Sequence, residues 1–376
     1  MNLEFTEEMT MLQDGLDKFL QHEYDFESRQ KLSRQGIGYS EQHWQSFADM
    51  GLLGVAFDEQ YGGFGLGQTG LIVVMEAIGK GLVLEPYLAS IILGGQLVQQ
   101  AGNEQQKESI LPALIAGELK LAFAYVERQG RYNLADIACK AEKQSGGYLI
   151  NGQKSVVFNA ETADHIIVSA RTSGDTISKE GISLFLIDKN TKGLNFRHYE
   201  TVDGLRASEV SLNDVMVESS ALLGELDNAY ATIESVLDSA AAAICAEGVG
   251  VVGQLREKTV EYLKTRKQFN QVIGHFQVLQ HRVVDMFMAE EQMRSLAYLA
   301  AIRVDEGQFD TRTKSVSAAK IYMGDARSIV AEQAAQLHGG IGVTDELDVA
   351  HYVKRLTMLN TLFGDRDYHL QRFSKV

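Results

Sequence analysis

The sequence predicts an α+β fold with helices first, a β-domain second and a helical bundle last. Three changes of pattern carry this. From Met1 to about residue 120 apolar residues step by three and four. Between 121 and 224 the apolar segments shorten and become β-branched and aromatic. From 225 to 376 long helical stripes return, so the expected domains are 1–120, 121–224 and 225–376. A chain of 376 residues is also too long for one simple core.

Each element has its own signal. Met9, Leu12, Leu16, Phe19 and Leu20 line one face of a first helix. Gly62, Gly63, Gly65 and Gly67 punctuate a loop between helices. YLINGQKSVVF (148–158), HIIVSA (165–170) and ISLFLID (182–188) read as strands, with Gly146-Gly147 as a hairpin turn. In the last region Leu279, Val283, Met286, Met293 and Leu296 mark one stripe, and Val316, Ala319, Met323, Ala326, Val330 and Leu337 another. Methionine on such stripes is core filler. The alanine run 240–243 suits close helix packing, and two prolines, against a usual ~5%, suit long uninterrupted helices.

Composition excludes some functions. With 45% hydrophobic and 23% charged residues the chain is an ordinary globular protein. A net charge of -15 argues against nucleic acid and anionic membranes as partners, though a local basic pocket can still hold an anionic nucleotide. Cys139 and Cys245 are the only cysteines, so neither a disulfide framework nor zinc spacing is expected. His275, His281, His338, His351 and His369 make no metal-ligand spacing, and no metal site is expected. No basic-then-apolar leader and no run of about 18 apolar residues is present, so the expected compartment is the cytoplasm.

Five segments, in order, resemble those of the acyl-CoA dehydrogenases. They are YGGFGLG (61–67), YLINGQKSVVFN (148–159), DGLRASEVSLNDVMV (203–217), TRKQFNQVIGHFQVLQHRVVDM (265–286) and QLHGGIGV (336–343). The resemblance covers essentially the whole chain. It implies an N-terminal α-helical domain, a middle β-domain, a C-terminal four-helix bundle and an FAD cofactor. The family's reaction takes a proton from the α-carbon of an acyl-CoA and a hydride from the β-carbon, which needs a base, an oriented flavin and a polarised thioester.

The resemblance breaks at the base. After the QLHGGIGV turn the family places a Glu-Gly pair; here the pair is Phe363-Gly364. Some members carry the glutamate on an earlier helix, followed by arginine, and those positions are Ala240-Ala241. The nearest acids are Asp365, Asp238 and Glu247. The first two lie about 200° round a helix from a base position, and Glu247 lies roughly 10 Å along from Ala240. They read as solvated or paired acids. Trp and Thr positions against the flavin ring hold Val156 and Phe158, and a further Thr position holds Val126. On residue type alone Val156 and Phe158 read as strand core. Arg131, Arg206 and Lys154 read as solvent-exposed bases of β-domain loops.

One half of the cofactor site is retained. In the family FAD lies across a dimer interface, and the residues that hold a neighbour's diphosphate and adenosine match Arg266, Gln268, Phe269, Gln336, Leu337, Gly339 and Gly340. That asymmetry is similar to the small subunits of heteromeric acyl-CoA dehydrogenases for pimeloyl-CoA or steroid side-chain thioesters, as is LFGDRDYHLQRF (362–373). The resemblance therefore implies a non-catalytic subunit in an α2β2 heterotetramer. A larger subunit would bind the acyl-CoA, and an electron-transferring flavoprotein would accept electrons. Two alternatives stand beside it: a self-sufficient FAD-dependent dehydrogenase or oxidase with a non-standard base, and a flavin-free acyl-CoA-binding or scaffold protein.

Overall fold

The structure, a computed structural model, describes residues 6–376. Helices open the chain: α1 (Glu7–Glu23), α2 (Phe26–Arg34), α3 (Glu41–Asp49), α4 (Gly67–Gly81), a π-helical stretch Leu88–Gly95, α5 (Gln96–Ala101) and α6 (Glu104–Ile115). Strands follow: β1 (Leu121–Ala124), β2 (Lys140–Gln144), β3 (Gly147–Phe158), β4 (His165–Arg171), β5 (Ile182–Asp188), β6 (Leu194–Glu200), β7 (Arg206–Glu218) and β8 (Leu222–Leu223). The rest is helical apart from a small hairpin: α7 (Tyr230–Thr265), β9 (Lys267–Gln268), β10 (Gln271–Val272), α8 (Gln277–Glu306), α9 (Phe309–His338), α10 (Asp348–Thr361) and α11 (Arg366–Ser374). The predicted helix–sheet–helix order is the observed one.

Packing groups these elements into two compact units that cut across the chain order. One comprises Met1–Lys31, Gly67–Val83 and Ala241–Val376; the other comprises Leu32–Leu66 and Leu84–Ala240. In the first, α4 and α7 touch backbone to backbone. A Cβ on Gly79 would lie 2.0 Å from the Glu247 carbonyl oxygen, and one on Gly250 would lie 1.9 Å from that of Glu76, so only glycine fits. Ion pairs between buried glutamates and half-buried arginines tie α4 to α7 through α8: Glu76 to Arg294 at 2.5 Å, Arg294 to Glu290 at 3.0 Å, and Glu290 to Arg256 at 2.5 Å. The stripe Val316, Ala319, Met323, Ala326, Val330 and Leu337 is buried, as read from its period. On α8 burial is complete at Met286 and Met293 and partial at Leu279, Val283 and Leu296. Helix α7 is long and apolar enough to cross a membrane, but its most apolar window is 94% buried within the protein. It is a core helix.

The second unit is built on the sheet, in the order β6-β7-β3-β2-β4-β5-β8 with β1 beside β4. The predicted hairpin joins β2 to β3, with Gly146 at φ +88° in its turn. Gly63 explains much of the glycine-rich loop: its Cβ would lie 2.0 Å from the Phe57 carbonyl oxygen as the loop folds back on the chain. Strand β3 carries register shifts against β7 between Ile150 and Gly152 and between Lys154 and Val157. The second shift falls in the segment expected to face a flavin ring.

Candidate functional site

The expected base position, Phe363, sits on a strained turn. After α10 the chain passes through Phe363 at φ +58° and Gly364 at φ +112° before Asp365 caps α11. A Cβ on Gly364 would lie 2.3 Å from Tyr368 Cδ1 and 2.8 Å from His369 Nε2, so glycine is obligatory there. Phe363 is not glycine, and a bulky residue with this φ is an outlier that its surroundings must enforce. Two groups do so. Lys320, on α9 and fully buried, donates from Nζ to the carbonyls of Leu359 at 2.8 Å, Asn360 at 3.2 Å and Leu362 at 2.8 Å. These are end-of-helix carbonyls without intrahelical partners. His369 lies 3.1 Å through Nε2 from the Phe363 carbonyl and 3.2 Å through Nδ1 from Ser317 Oγ. A carbonyl only accepts, so Nε2 carries the proton and Nδ1 accepts from the serine.

Burial sets the charge states of these groups. It pushes His369 down to about 3, with the Lys320 and Arg372 charges acting the same way, so the ring is neutral at ordinary pH. It also lowers Lys320 to about 7, against the pull of Cys245 and Asp365. The buried Cys245 thiol is pushed up to about 12 and is not a nucleophile at neutral pH.

Neither base position can accept a proton. Ala240 and Ala241 are buried at 0% and 1% exposure, and Phe363 offers a half-buried phenyl ring. The nearby acids are committed elsewhere. Glu247 is buried in a bidentate pair with Arg355, at 2.5 and 2.9 Å. Asp365 accepts the Tyr368 amide at 2.9 Å as an N-cap, and Asp238 is buried.

Two readings of the β-domain need correction. Val156 is not strand core: it rides the β3 bulge at φ +53° and is 37% exposed, because the bulge turns it out of the period-two alternation. Phe158, past the bulge, is half-buried opposite Ala207. Lys154 is not an exposed loop base. It is fully buried on β3 and bonds Glu127 at 2.7 Å and Ser169 at 3.1 Å. Burial pushes the Glu127 carboxyl up, but Lys154, Gln129 and the Ala138 amide outweigh it and hold it below the usual range. Glu127 thereby pins the AYVER segment, where Val126 offers only its carbonyl, to Ser155 N at 2.8 Å. Arg131 is exposed and Arg206 is half-buried.

The residues matched to the diphosphate end lie together. Arg266 and Gln268 are exposed at the start of the β9–β10 hairpin. Its two turn residues, Phe269 and Asn270, have φ +52° and +61°, the double positive φ of a tight hairpin. Phe269 is 85% exposed. Gln336, Gly339 and Gly340 are exposed at the end of α9, and a Cβ on either glycine would meet nothing within 4 Å. The Leu337 side chain is buried, so only its backbone is on offer. Tyr262, whose carbonyl accepts the Arg266 amide at 2.8 Å, packs its ring 4.5 Å from that of His338 with the planes tilted by 31°. That contact brings hairpin and glycine turn side by side. The sequence did not single out Tyr262, Lys320 or Ser317, because their roles come from partners distant in the chain.

These residues fit one end of an FAD and not the other. An exposed guanidinium beside open glycine backbone suits a diphosphate. Val156, Phe158 and Val126 supply no side-chain donor for a flavin ring. Among the described residues no group of three His, Cys, Asp or Glu is placed to hold a metal.

Helices, a β-domain and a closing helical bundle with this retained turn define an FAD-dependent oxidoreductase scaffold. Residues 6–118, 122–215 and 230–376 match the acyl-CoA dehydrogenase N-terminal, middle and C-terminal domains. The chain is 31% identical to the 3-(aryl)acrylate reductase of Clostridium sporogenes, over 79% of this chain and 80% of that one. It is 30% identical to the mitochondrial isovaleryl-CoA dehydrogenase of Pongo abelii, over 93% and 84%. Of solved structures, the Tcur3481-Tcur3483 steroid ACAD superimposes with a TM-score of 0.88 at 28% identity, covering 98% of this chain and 97% of that one. The chain belongs to the acyl-CoA dehydrogenase family.

Proposed function

We propose that this chain is the non-catalytic subunit of a heteromeric acyl-CoA dehydrogenase. It completes the FAD site of a larger partner that carries out α,β-dehydrogenation of an acyl-CoA. One observation carries the reading: the strained turn that presents the family's base is intact, clamped by Lys320 and His369, yet it presents phenylalanine. Decay would not be expected to keep such a turn. The solvent-facing Arg266–Phe269 hairpin and the Gly339-Gly340 turn support a role toward a neighbour's cofactor. So do the exposed apolar residues Val278, Val284, Phe287 and Met288 on α8 and Ile341 and Val343 just after α9. The likeness to a two-component steroid ACAD points the same way.

In this reading the partner supplies the glutamate, the ring contacts and the acyl-CoA pocket. A bound FAD would supply the hydride acceptor, and an electron-transferring flavoprotein in the cytoplasm would be its electron acceptor. This chain contributes Arg266 to the diphosphate and backbone amides of its glycine turn. The division at residues 120 and 224 into three domains belongs to the same proposal. A self-sufficient enzyme is disfavoured because Glu247 and Asp365 already have structural partners. The test is to purify the chain alone and co-expressed with a larger homologue that carries an intact Glu-Arg or Glu-Gly pair. The expected result is little FAD and no turnover alone, with both present in the pair. A yellow isolated protein that bleaches on adding acyl-CoA overturns the proposal.

A further inference from the structure

A cleft lies in the β-domain between the segment just after β3, the β5–β6 loop and strand β6. It has a volume of about 380 Å³ and is lined by Glu161, Lys189, Lys192, Phe196 and His198, among others. Three kinds of group converge there. Phe196 and His198 stack with centroids 5.8 Å apart and planes at 13°, and Ser208 Oγ, 2.7 Å from His198 Nδ1, fixes the imidazole. Two ammonium groups stand at the rim; Lys189 spends one donor on the Glu161 carbonyl at 3.1 Å, and Lys192 is exposed. Glu161 Oε2 is buried with no hydrogen-bond partner among the described residues. A buried carboxylate oxygen without a donor is unfavourable, and in a native structure such a group points to something missing.

Each group asks for a different part of one ligand. The aromatic pair offers an edge and face to a flat ring. Lysines favour a phosphate. The carboxylate needs an N–H or O–H donor. We propose that this cleft binds a purine nucleoside monophosphate, its phosphate on Lys189 and Lys192, its ring on Phe196 and His198, and an amine or hydroxyl on Glu161. The cleft's lining residues all fall between Ala160 and His198 and include none of the hairpin half-site, and the proposal does not depend on the subunit reading. No covalent step is involved.

The test is calorimetric titration of the purified chain with AMP, with adenosine and inorganic phosphate as separate arms. Variants are Lys192→Ala, Phe196→Leu and Arg266→Ala. AMP is expected to bind more tightly than either component. Lys192→Ala, at an exposed position that leaves the fold intact, should weaken AMP by about tenfold, the value of one charge-assisted bond. Phe196→Leu should reduce adenosine binding while leaving phosphate unchanged. Tight AMP binding should persist in Arg266→Ala, which separates this cleft from the hairpin half-site. AMP binding no tighter than phosphate alone, or AMP binding that survives Lys192→Ala and is lost in Arg266→Ala, overturns the proposal.

Discussion

The Nε2–H of His369 donates to the carbonyl oxygen of Phe363 across 3.1 Å, from inside the protein to the residue at the expected base position. The hydrogen bond fixes a backbone conformation that phenylalanine does not favour, and it does so with a ring kept neutral by burial. The turn at Phe363 is thus held by backbone contacts that do not depend on the side chain it presents.

Neutral His369 makes the fold acid-sensitive. In the unfolded chain the imidazole takes up a proton near its ordinary value of 6.5, but in the folded chain only near 3. Between those values the unfolded state binds more protons, so stability present above pH 6.5 is lost as pH falls, by about 1.4 kcal/mol per unit. His369→Gln keeps a donor to the Phe363 carbonyl and removes the titration. Denaturant midpoints from pH 7 to 4 should fall less steeply for the variant than for the parent; parallel profiles would show that His369 titrates normally.

Strain at residue 363 can be separated from lost packing by comparing two truncations. Phe363→Ala and Phe363→Gly remove the same ring, but only alanine keeps a Cβ in the left-handed region. Phe363→Gly should be the more stable of the two by about 1 kcal/mol. Thermal denaturation of both measures this directly, and the reverse order would show that the turn relaxes once the ring is gone.

Glu247 and Arg355 form a buried ion pair, and each partner is needed only because the other is there. Arg355→Met should destabilise by about 3–5 kcal/mol by leaving a buried carboxylate unpaired. Adding Glu247→Gln should recover much of that loss. Urea unfolding of the single and double variants checks it, and additive losses would contradict the assignment.

Much of this was legible in the sequence. The stripes on α9 and α1 and the β2–β3 hairpin follow from period and turn chemistry, both local properties. Val156 and Lys154 were misread for one physical reason. A strand's alternation assigns faces only while its register holds, and the shift between Lys154 and Val157 is set by pairing with β7, some 50 residues away. The partner that makes Lys154 a core residue, Glu127, is 27 positions distant. Lys320 and His369 were unreadable as a clamp because three chain segments must fold together before either has anything to hold.

Phe363→Glu should not produce an active isolated enzyme. The substitution restores a carboxylate on a correctly shaped turn, but Val156, Phe158 and Val126 still offer a flavin no ring donors. A general base is worth typically 10²–10⁴-fold only when a hydride acceptor is in place. The measurement is dye reduction with a panel of acyl-CoA thioesters and added FAD. Turnover by this single variant would mean that the chain orients a flavin unaided.

Arg266→Ala is the sharpest test of the subunit reading, because it touches neither the partner's glutamate nor any buried contact of this chain. Arg266 is exposed at the base of the hairpin, so its loss leaves the fold intact. In the heteromer the guanidinium would lie on the diphosphate of an FAD held mainly by the neighbour. A charge-assisted bond there contributes about 1.5–3 kcal/mol, or one to two decades of FAD affinity. Since bound cofactor also stabilises the assembly that binds it, the variant pair should dissociate more readily at low FAD and recover on addition of excess. FAD per complex after gel filtration, and activity against added FAD, give the two readouts. Full flavin retention with unchanged affinity would show that Arg266 does not face the partner's cofactor, and the proposed half-site would then have to be abandoned.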